Sequence, residues 1–229
     1  MNNPVEVSQF TIDSVNFKDH EEALDLFWNY FMPCEPLTRL VGCNIKSGYR
    51  IHNLDRLLIQ MLKSPSCLIA RSEKGDLAGV IFCNVIMRTE HAKLESPSKT
   101  EYLHSGWPED FVYILLLLDE LNYYPKELSN KEVNCLLDIF AVVVKPEFRR
   151  QGLASQLIDQ AVNRAKLLNI PLVTITCTSS FTQRSSVKSM FTMEKMLYYK
   201  DWYYDGQKVI KDENIDPVHP VAISYFKLI

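Results

Sequence analysis

The sequence predicts a mixed α/β domain, and three observations carry that expectation. The run Cys135-Leu136-Leu137-Asp138-Ile139-Phe140-Ala141-Val142-Val143-Val144 reads as a buried strand, and a small-residue turn joins it to a helical stretch over 155–166. Two more apolar runs, Cys67–Arg71 and Leu77–Ile86, flank Lys74-Gly75-Asp76 and read as a β-hairpin. Elsewhere, stretches of helical period alternate with strand-like ones, without internal repeat, low-complexity tract or linker.

In chain order, weak alternation of Val7, Phe10, Ile12 and Val15 predicts a first strand over 7–16. Asp19 to Tyr30 reads as a helix, because Ala23, Leu24, Phe27, Trp28 and Phe31 recur every three or four residues. Phe31-Met32-Pro33-Cys34-Glu35-Pro36-Leu37 breaks it with two prolines. A helix resumes over Arg50–Lys63, with Ile51, Leu54, Leu57, Leu58 and Met61 on one face. Glu90–Pro108 is polar without a period and reads as a surface loop. Glu109–Leu121 is helical and apolar nearly all round, hence buried, and Tyr123-Tyr124-Pro125 ends it. Leu172–Cys177 is a strand and Ser180–Lys188 a helix. Lys195–Tyr204 and Val221–Leu228 read as two closing strands joined through Asp205-Gly206. The expectation is one domain over 1–229 with a mixed, mostly antiparallel sheet flanked by helices.

Composition narrows the function classes. The chain has 229 residues, 47% hydrophobic and 23% charged, as in ordinary globular proteins. A net charge of −3 gives no case for nucleic acid, which requires a basic surface to displace counterions. Residues 145–150 still form a local basic site. The start of the chain lacks a charged and then apolar leader pattern, and the longest aliphatic run, Ile114 to Leu118, is too short to span a bilayer. A cytoplasmic protein without a membrane partner, and a monomer, are the expectations. The six cysteines show no C-x-x-C spacing and the five histidines no ligand spacing, so no metal or disulfide is expected.

The segment Glu147-Phe148-Arg149-Arg150-Gln151-Gly152-Leu153-Ala154-Ser155-Gln156 is the most informative. A helix start presents N–H groups with no partner inside the helix, and the helix dipole adds positive potential. Gly152 and Ala154 are small enough for a pyrophosphate to approach the backbone, and Arg149 and Arg150 add charge. The alternative reading is a tight turn at Gly152 beside a solvated basic patch.

Strand, R-x-x-G-x-A, helix, strand, short helix and two late strands resemble the GNAT acetyltransferase superfamily. The signature runs from about Cys135 to Phe191. Phe31–Leu37 looks like the E-P-L segment of insect arylalkylamine N-acetyltransferases, and Asp216-Pro217-Val218-His219-Pro220 before a last strand also resembles that group. The resemblance implies a GNAT fold and a direct transfer of acetyl from acetyl-CoA to the primary amine of an arylalkylamine, such as dopamine, tyramine, octopamine, serotonin or tryptamine. Its cofactor contacts map onto Val142, Val143 and Val144, whose backbone would take the pantetheine arm and supply an oxyanion donor near Val144. They continue through Arg149, Arg150, Gln151, Gly152, Leu153, Ala154 and Ser155, and at Ser179.

The resemblance assigns Glu35 as general base, since a protonated alkylamine with a pKa of about 10 must lose its proton. The competing role for Glu35 is helix capping. The position where many superfamily members carry an acidic Tyr is here Ser186. Thr178 and Thr182 match hydroxyl positions of the insect enzymes and would relay a proton or orient a water. Strand-end and helix capping are their alternatives. Pro36, the loop 90–108 and the aromatic ends around Tyr198–Tyr204 would enclose the acceptor's ring. Two other functions remain open: the same fold acting on a polyamine, an aliphatic amine or a protein N-terminus, and a non-catalytic acyl-CoA-binding module.

Overall fold

The computed structural model describes residues 9–43, 50–87, 97–121 and 133–229. Strands β1 (Phe10–Ser14), β2 (Leu68–Ser72), β3 (Leu77–Met87), β4 (Cys135–Val144), β5 (Leu172–Cys177), β6 (Thr192–Tyr198) and β9 (Val221–Leu228) form one seven-stranded sheet, ordered β1-β2-β3-β4-β5-β9-β6. A two-residue hairpin of β7 (Tyr203–Tyr204) and β8 (Gln207–Lys208) stands apart. Every neighbouring pair in the large sheet is antiparallel except β4 and β5. A parallel pair needs a long crossover, and helix α6 (Leu153–Leu167) supplies it.

The remaining helices are α1 (His20–Leu26), α2 (Pro36–Leu40), α3 (His52–Leu62), α4 (Lys99–His104), α5 (Glu109–Leu121) and α7 (Ser180–Lys188). Helices cover both faces of the sheet. A Cβ at Gly79 would meet Leu157 of α6, whereas Phe82, three residues along β3, packs edge-on against Phe27. Side chains three apart on a strand point to opposite faces, so α6 and the Phe27 segment lie on opposite sides. Among the described residues one large apolar cluster runs through both layers, with a smaller one of Val133, Leu136 and Leu172 beside it.

Four local readings change. The helix over Asp19–Tyr30 is α only to Leu26; Phe27–Phe31 is a π turn. The wider turn precedes Pro33 and stacks Phe27 on Phe31 with ring centroids 4.9 Å apart. The break at 31–37 is followed at once by α2, because Pro36 sits at its first position, where a missing N–H costs nothing.

The expected loop 90–108 contains α4, started by a reciprocal cap between Ser98 and Glu101. Its residues 90–96, like Tyr123-Tyr124-Pro125 and residues 7–8 of the first strand, lie outside the described residues. The closing strand expected over Lys195–Tyr204 is β6 at Thr192–Tyr198, ended by a 3-10 turn at Tyr199–Asp201. Tyr199 and Trp202 in that stretch are buried core residues rather than members of a strand. Among the described residues no helix is long and apolar enough to cross a membrane.

Candidate active site

The turn before α6 is built from two closely spaced departures from ordinary backbone. Arg150 has φ 63° and Gly152 φ 77°. The space around Gly152 is open: a Cβ there would come no nearer than 3.9 Å to Gln156 Nε2, so the left-handed backbone is what favours glycine. No side chain caps α6. The N–H groups of Leu153, Ala154 and Ser155 occupy its first turn and point out of the helix. Leu153 is buried and fixes the helix start against the sheet.

Arg149 works differently from a free phosphate ligand: its Nε donates to the Val144 carbonyl at 3.0 Å, tying the turn to the end of β4. Gln151 Nε2 donates back to the Glu147 carbonyl at 3.2 Å.

Beside this turn the sheet opens. Strands β4 and β5 pair only at Leu137↔Val173, Asp138↔Thr174 and Ile139↔Ile175, while β4 runs on to Val144. A bulge at Phe140 separates the two stretches, for Ile139 faces Cys83 but Ala141 faces Phe82. Lys145 N–H donates to the Ala78 carbonyl at 2.9 Å. By antiparallel alternation, the backbone groups of Val142 and Val144 then point away from β3, into the opening, while those of Val143 face β3. Val143 is buried, so the run packs with its side chains while its backbone lines a cleft.

Glu35 is the cap of α2 and also more than a cap. Its Oε2 accepts the Thr38 N–H at 3.0 Å, and the residue is 8% exposed. Its other oxygen, Oε1, is buried without a hydrogen-bond partner among the described residues. Burial pushes the carboxyl up to about 6, against the neighbouring Thr178 hydroxyl and the Thr38 and Leu37 N–H groups, which favour its charged form. Thr178 thus stands beside the carboxyl without a hydrogen bond of normal geometry to it.

Thr182 is not drawn to Glu35 by any hydrogen bond among the described residues; its carbonyl accepts from the Ser186 hydroxyl at 3.1 Å. Ser186 is fully buried with its Oγ 3.3 Å from Cys177 Sγ, so this position belongs to the core. The cap of α7 is Ser179, whose Oγ accepts the Phe181 N–H at 3.2 Å. His219 Nδ1 accepts the Ser180 N–H at 3.1 Å, which anchors the Asp216–Pro220 stretch at the start of α7.

A groove of about 320 Å³ opens next to Glu35, with Cys34, Pro36, Arg39, Asn214, Asp216 and His219 in its wall. The aromatic ends around Tyr198–Tyr204 form a separate depression of about 350 Å³ with Glu120, at the edge strand β6. Tyr204 also receives the Lys99 N–H on its hydroxyl at 3.4 Å. Metal-ligand clusters are absent among the described residues.

Two residues escaped the sequence reading. Tyr199 is fully buried, and its hydroxyl donates to the Thr178 carbonyl at 3.1 Å. Burial, then the charges of Glu35 and Cys177, push its phenol well above the ordinary range. Asp138 receives the Thr174 hydroxyl at 2.9 Å, and burial pushes its carboxyl up to about 6. The available signal was a single acid inside an otherwise apolar strand, where an unpaired carboxylate is costly.

Residues 123–186 match the acetyltransferase (GNAT) family model. No curated protein matches the chain. Among solved structures, the arylalkylamine N-acetyltransferase 2 of Aedes aegypti superposes with a TM-score of 0.84 at 22% identity, covering 96% of this chain and 99% of that one. A mosquito arylalkylamine N-acetyltransferase-like 5b gives 0.80 at 16% identity, over 96% and 100%. The Drosophila melanogaster polyamine N-acetyltransferase, which forms N-acetylagmatine, gives 0.78 at 19% identity, over 96% and 100%. The matched segment spans β4, the glycine turn, α6 and β5, and the remaining strands complete the same mixed sheet: the chain has the GNAT acetyltransferase fold.

Proposed function

We propose that this protein transfers acetyl from acetyl-CoA to the primary amine of an arylalkylamine, as one domain and without an acetyl-enzyme. The observation that carries the reading is Glu35 Oε1, a buried carboxylate oxygen with no hydrogen-bond partner among the described residues. Leaving such an atom unpaired costs stability, so its retention points to a ligand that supplies the missing donor. A protonated amine does so.

The chain fits the co-substrate on two observations: an uncapped helix N-terminus behind Gly152, and the outward backbone of Val142 and Val144. The N–H groups at Leu153, Ala154 and Ser155, with the charge of Arg150, would hold the diphosphate, and the β4 edge the pantetheine amides. Bound there, acetyl-CoA supplies the activated acyl group. Arg149 braces the carbonyl of Val144 and keeps the strand end at a fixed distance from the turn.

Glu35, with a pKa near 6, is ionised at neutral pH yet basic enough to take the amine's proton. Thr178 orients that carboxyl or a water beside it, and Tyr199 holds the Thr178 main chain in place. An N–H near Val144 would stabilise negative charge on the acyl oxygen. Thr182 and Ser179 have structural partners that account for their positions, so they are secondary in this scheme. Pro36 lines the groove through which the amine enters.

A second reading, an agmatine- or polyamine-type acceptor, draws on the Drosophila neighbour. The test is thiol release from acetyl-CoA with a panel of phenylethylamines, indolylethylamines, agmatine, spermidine and N-terminal peptides. Highest kcat/KM with an arylalkylamine is expected. Preference for spermidine or peptides reverses the order, and no thiol release with any amine reduces the protein to a binding module.

A further inference from the structure

The face of the sheet under the Phe27 segment carries a row of polar side chains in otherwise apolar surroundings. Asp138 pairs with Asn84, two residues along β3 from Phe82, which packs on Phe27. Its side chain therefore lies on that face, and so does that of Thr174, its partner on β5. Four residues further along, Thr178 stands beside Glu35. Between them the bulged Phe140 turns toward Phe27, with ring centroids 6.5 Å apart. Below Asp138 the face closes with the apolar cluster of Leu136, Leu172, Val133 and Phe226. In sequence along the face come an acid, an aromatic wall, a second acid and an apolar floor.

Asp138 is half-buried and keeps accessible surface. The Thr174 hydroxyl satisfies one lone pair of Oδ1. A carboxylate accepts about four hydrogen bonds, and among the described residues the Thr174 hydroxyl is the one drawn to Asp138. Resting on the acetyltransferase reading above, we propose that Asp138 is a specificity-determining residue that accepts a hydrogen bond from a donor group at the end of the acceptor remote from the reacting amine.

The spacing fits. Four residues of strand between Thr174 and Thr178 span about 13 Å. With a hydrogen bond of about 3 Å at each end, the acceptor's polar ends stand about 7–8 Å apart. A ring-hydroxylated phenylethylamine has that reach, and so does a short amine carrying a terminal guanidinium. The half-buried Phe140 ring alongside favours the aromatic kind. An acceptor without a distal donor leaves the carboxylate desolvated and unpaired, which is a strong basis for rejection.

The test uses the full chain and two matched pairs: tyramine against phenylethylamine, and agmatine against butylamine. D138N is expected to raise KM for tyramine and agmatine by about tenfold with kcat within about threefold, and to change their partners' KM by less than about twofold. T174V leaves the carboxylate but removes its support and should shift the same constants in the same direction by a smaller factor. Acetyl-CoA-induced thermal stabilisation reports whether each variant is folded. A uniform kcat loss across both pairs would place Asp138 in the chemistry and overturn the proposal, as would unchanged discrimination in D138N or, should that variant not fold, in T174V. Wild-type protein that acetylates none of the four amines sinks the acetyltransferase reading itself. Wild-type turnover of all four without preference sinks only the role of Asp138.

Discussion

Thr38 and Glu35 bond to each other twice. The Thr38 N–H donates to the Glu35 carboxylate at 3.0 Å, and the Thr38 hydroxyl donates to the Glu35 carbonyl at 2.7 Å, with the Met32 carbonyl 3.0 Å from the same hydroxyl. The carboxylate is thus locked by its own helix start, with one oxygen engaged and the other left for chemistry. Glu35→Gln keeps the engaged oxygen and removes the base. It should lower kcat by about 10²–10³ with acetyl-CoA affinity unchanged. For the wild type, kcat/KM should fall as pH drops through about 6, because the carboxyl takes up a proton there. The pH profile of a good acceptor checks both; near-full turnover by Glu35→Gln at neutral pH removes Glu35 from the mechanism.

The same carboxyl makes stability depend on pH. Its folded value of about 6 lies above the ordinary 4.5, so the native state holds its proton longer than the unfolded chain. Its cost is absent below about 4.5, grows between 4.5 and 6, and is complete above 6. The difference corresponds to about 2 kcal/mol at neutral pH. Glu35→Gln should therefore be more stable than wild type at about pH 7.5 by that amount in urea unfolding, with the gain vanishing near about pH 4. A variant less stable than wild type at neutral pH would contradict the destabilising burial of this charge.

Gly79 faces α6 with no room for a side chain. A Cβ there would sit 2.8 Å from the Val143 carbonyl oxygen and 3.2 Å from Leu157 Cδ1. The carbonyl belongs to a strand paired on this side and cannot retreat without disturbing the β3–β4 ladder. Gly79→Ala should cost about 1–3 kcal/mol and raise the acetyl-CoA KM, since Val142 and Val144 move with Val143. Thermal unfolding and KM measured on the same preparation check it; a normal Tm with a normal KM contradicts this packing.

Legibility followed the strength of local period. The strand Cys135–Val144, the Gly152 turn and α6 stood out because a continuous apolar run gives way to a helical period across a glycine. Helix α4 was hidden by its brevity and exposure, although Ser98-x-x-Glu101 is a capping signal that marks its start. The misplaced closing strand traces to Tyr199 and Trp202, whose aromatic side chains suggest a strand but fill the core from a 3-10 turn and its flank. Glu35 was legible as a base only through resemblance, because local chemistry equally supports a cap, and the structure shows the cap. Asp138 escaped because the apolar run around it reads as core; its partner Thr174 is 36 residues away, a pairing that only the fold brings about.

With β4 and β5 joined at only three residue pairs, the sheet is two blankets held by a short seam. Acetyl-CoA bound there as proposed would add a rung to that seam, and its supply would then raise the stability of the sheet. At about a hundredfold excess over its Kd such a molecule contributes about 2.7 kcal/mol, a sizeable share of what holds an ordinary domain together.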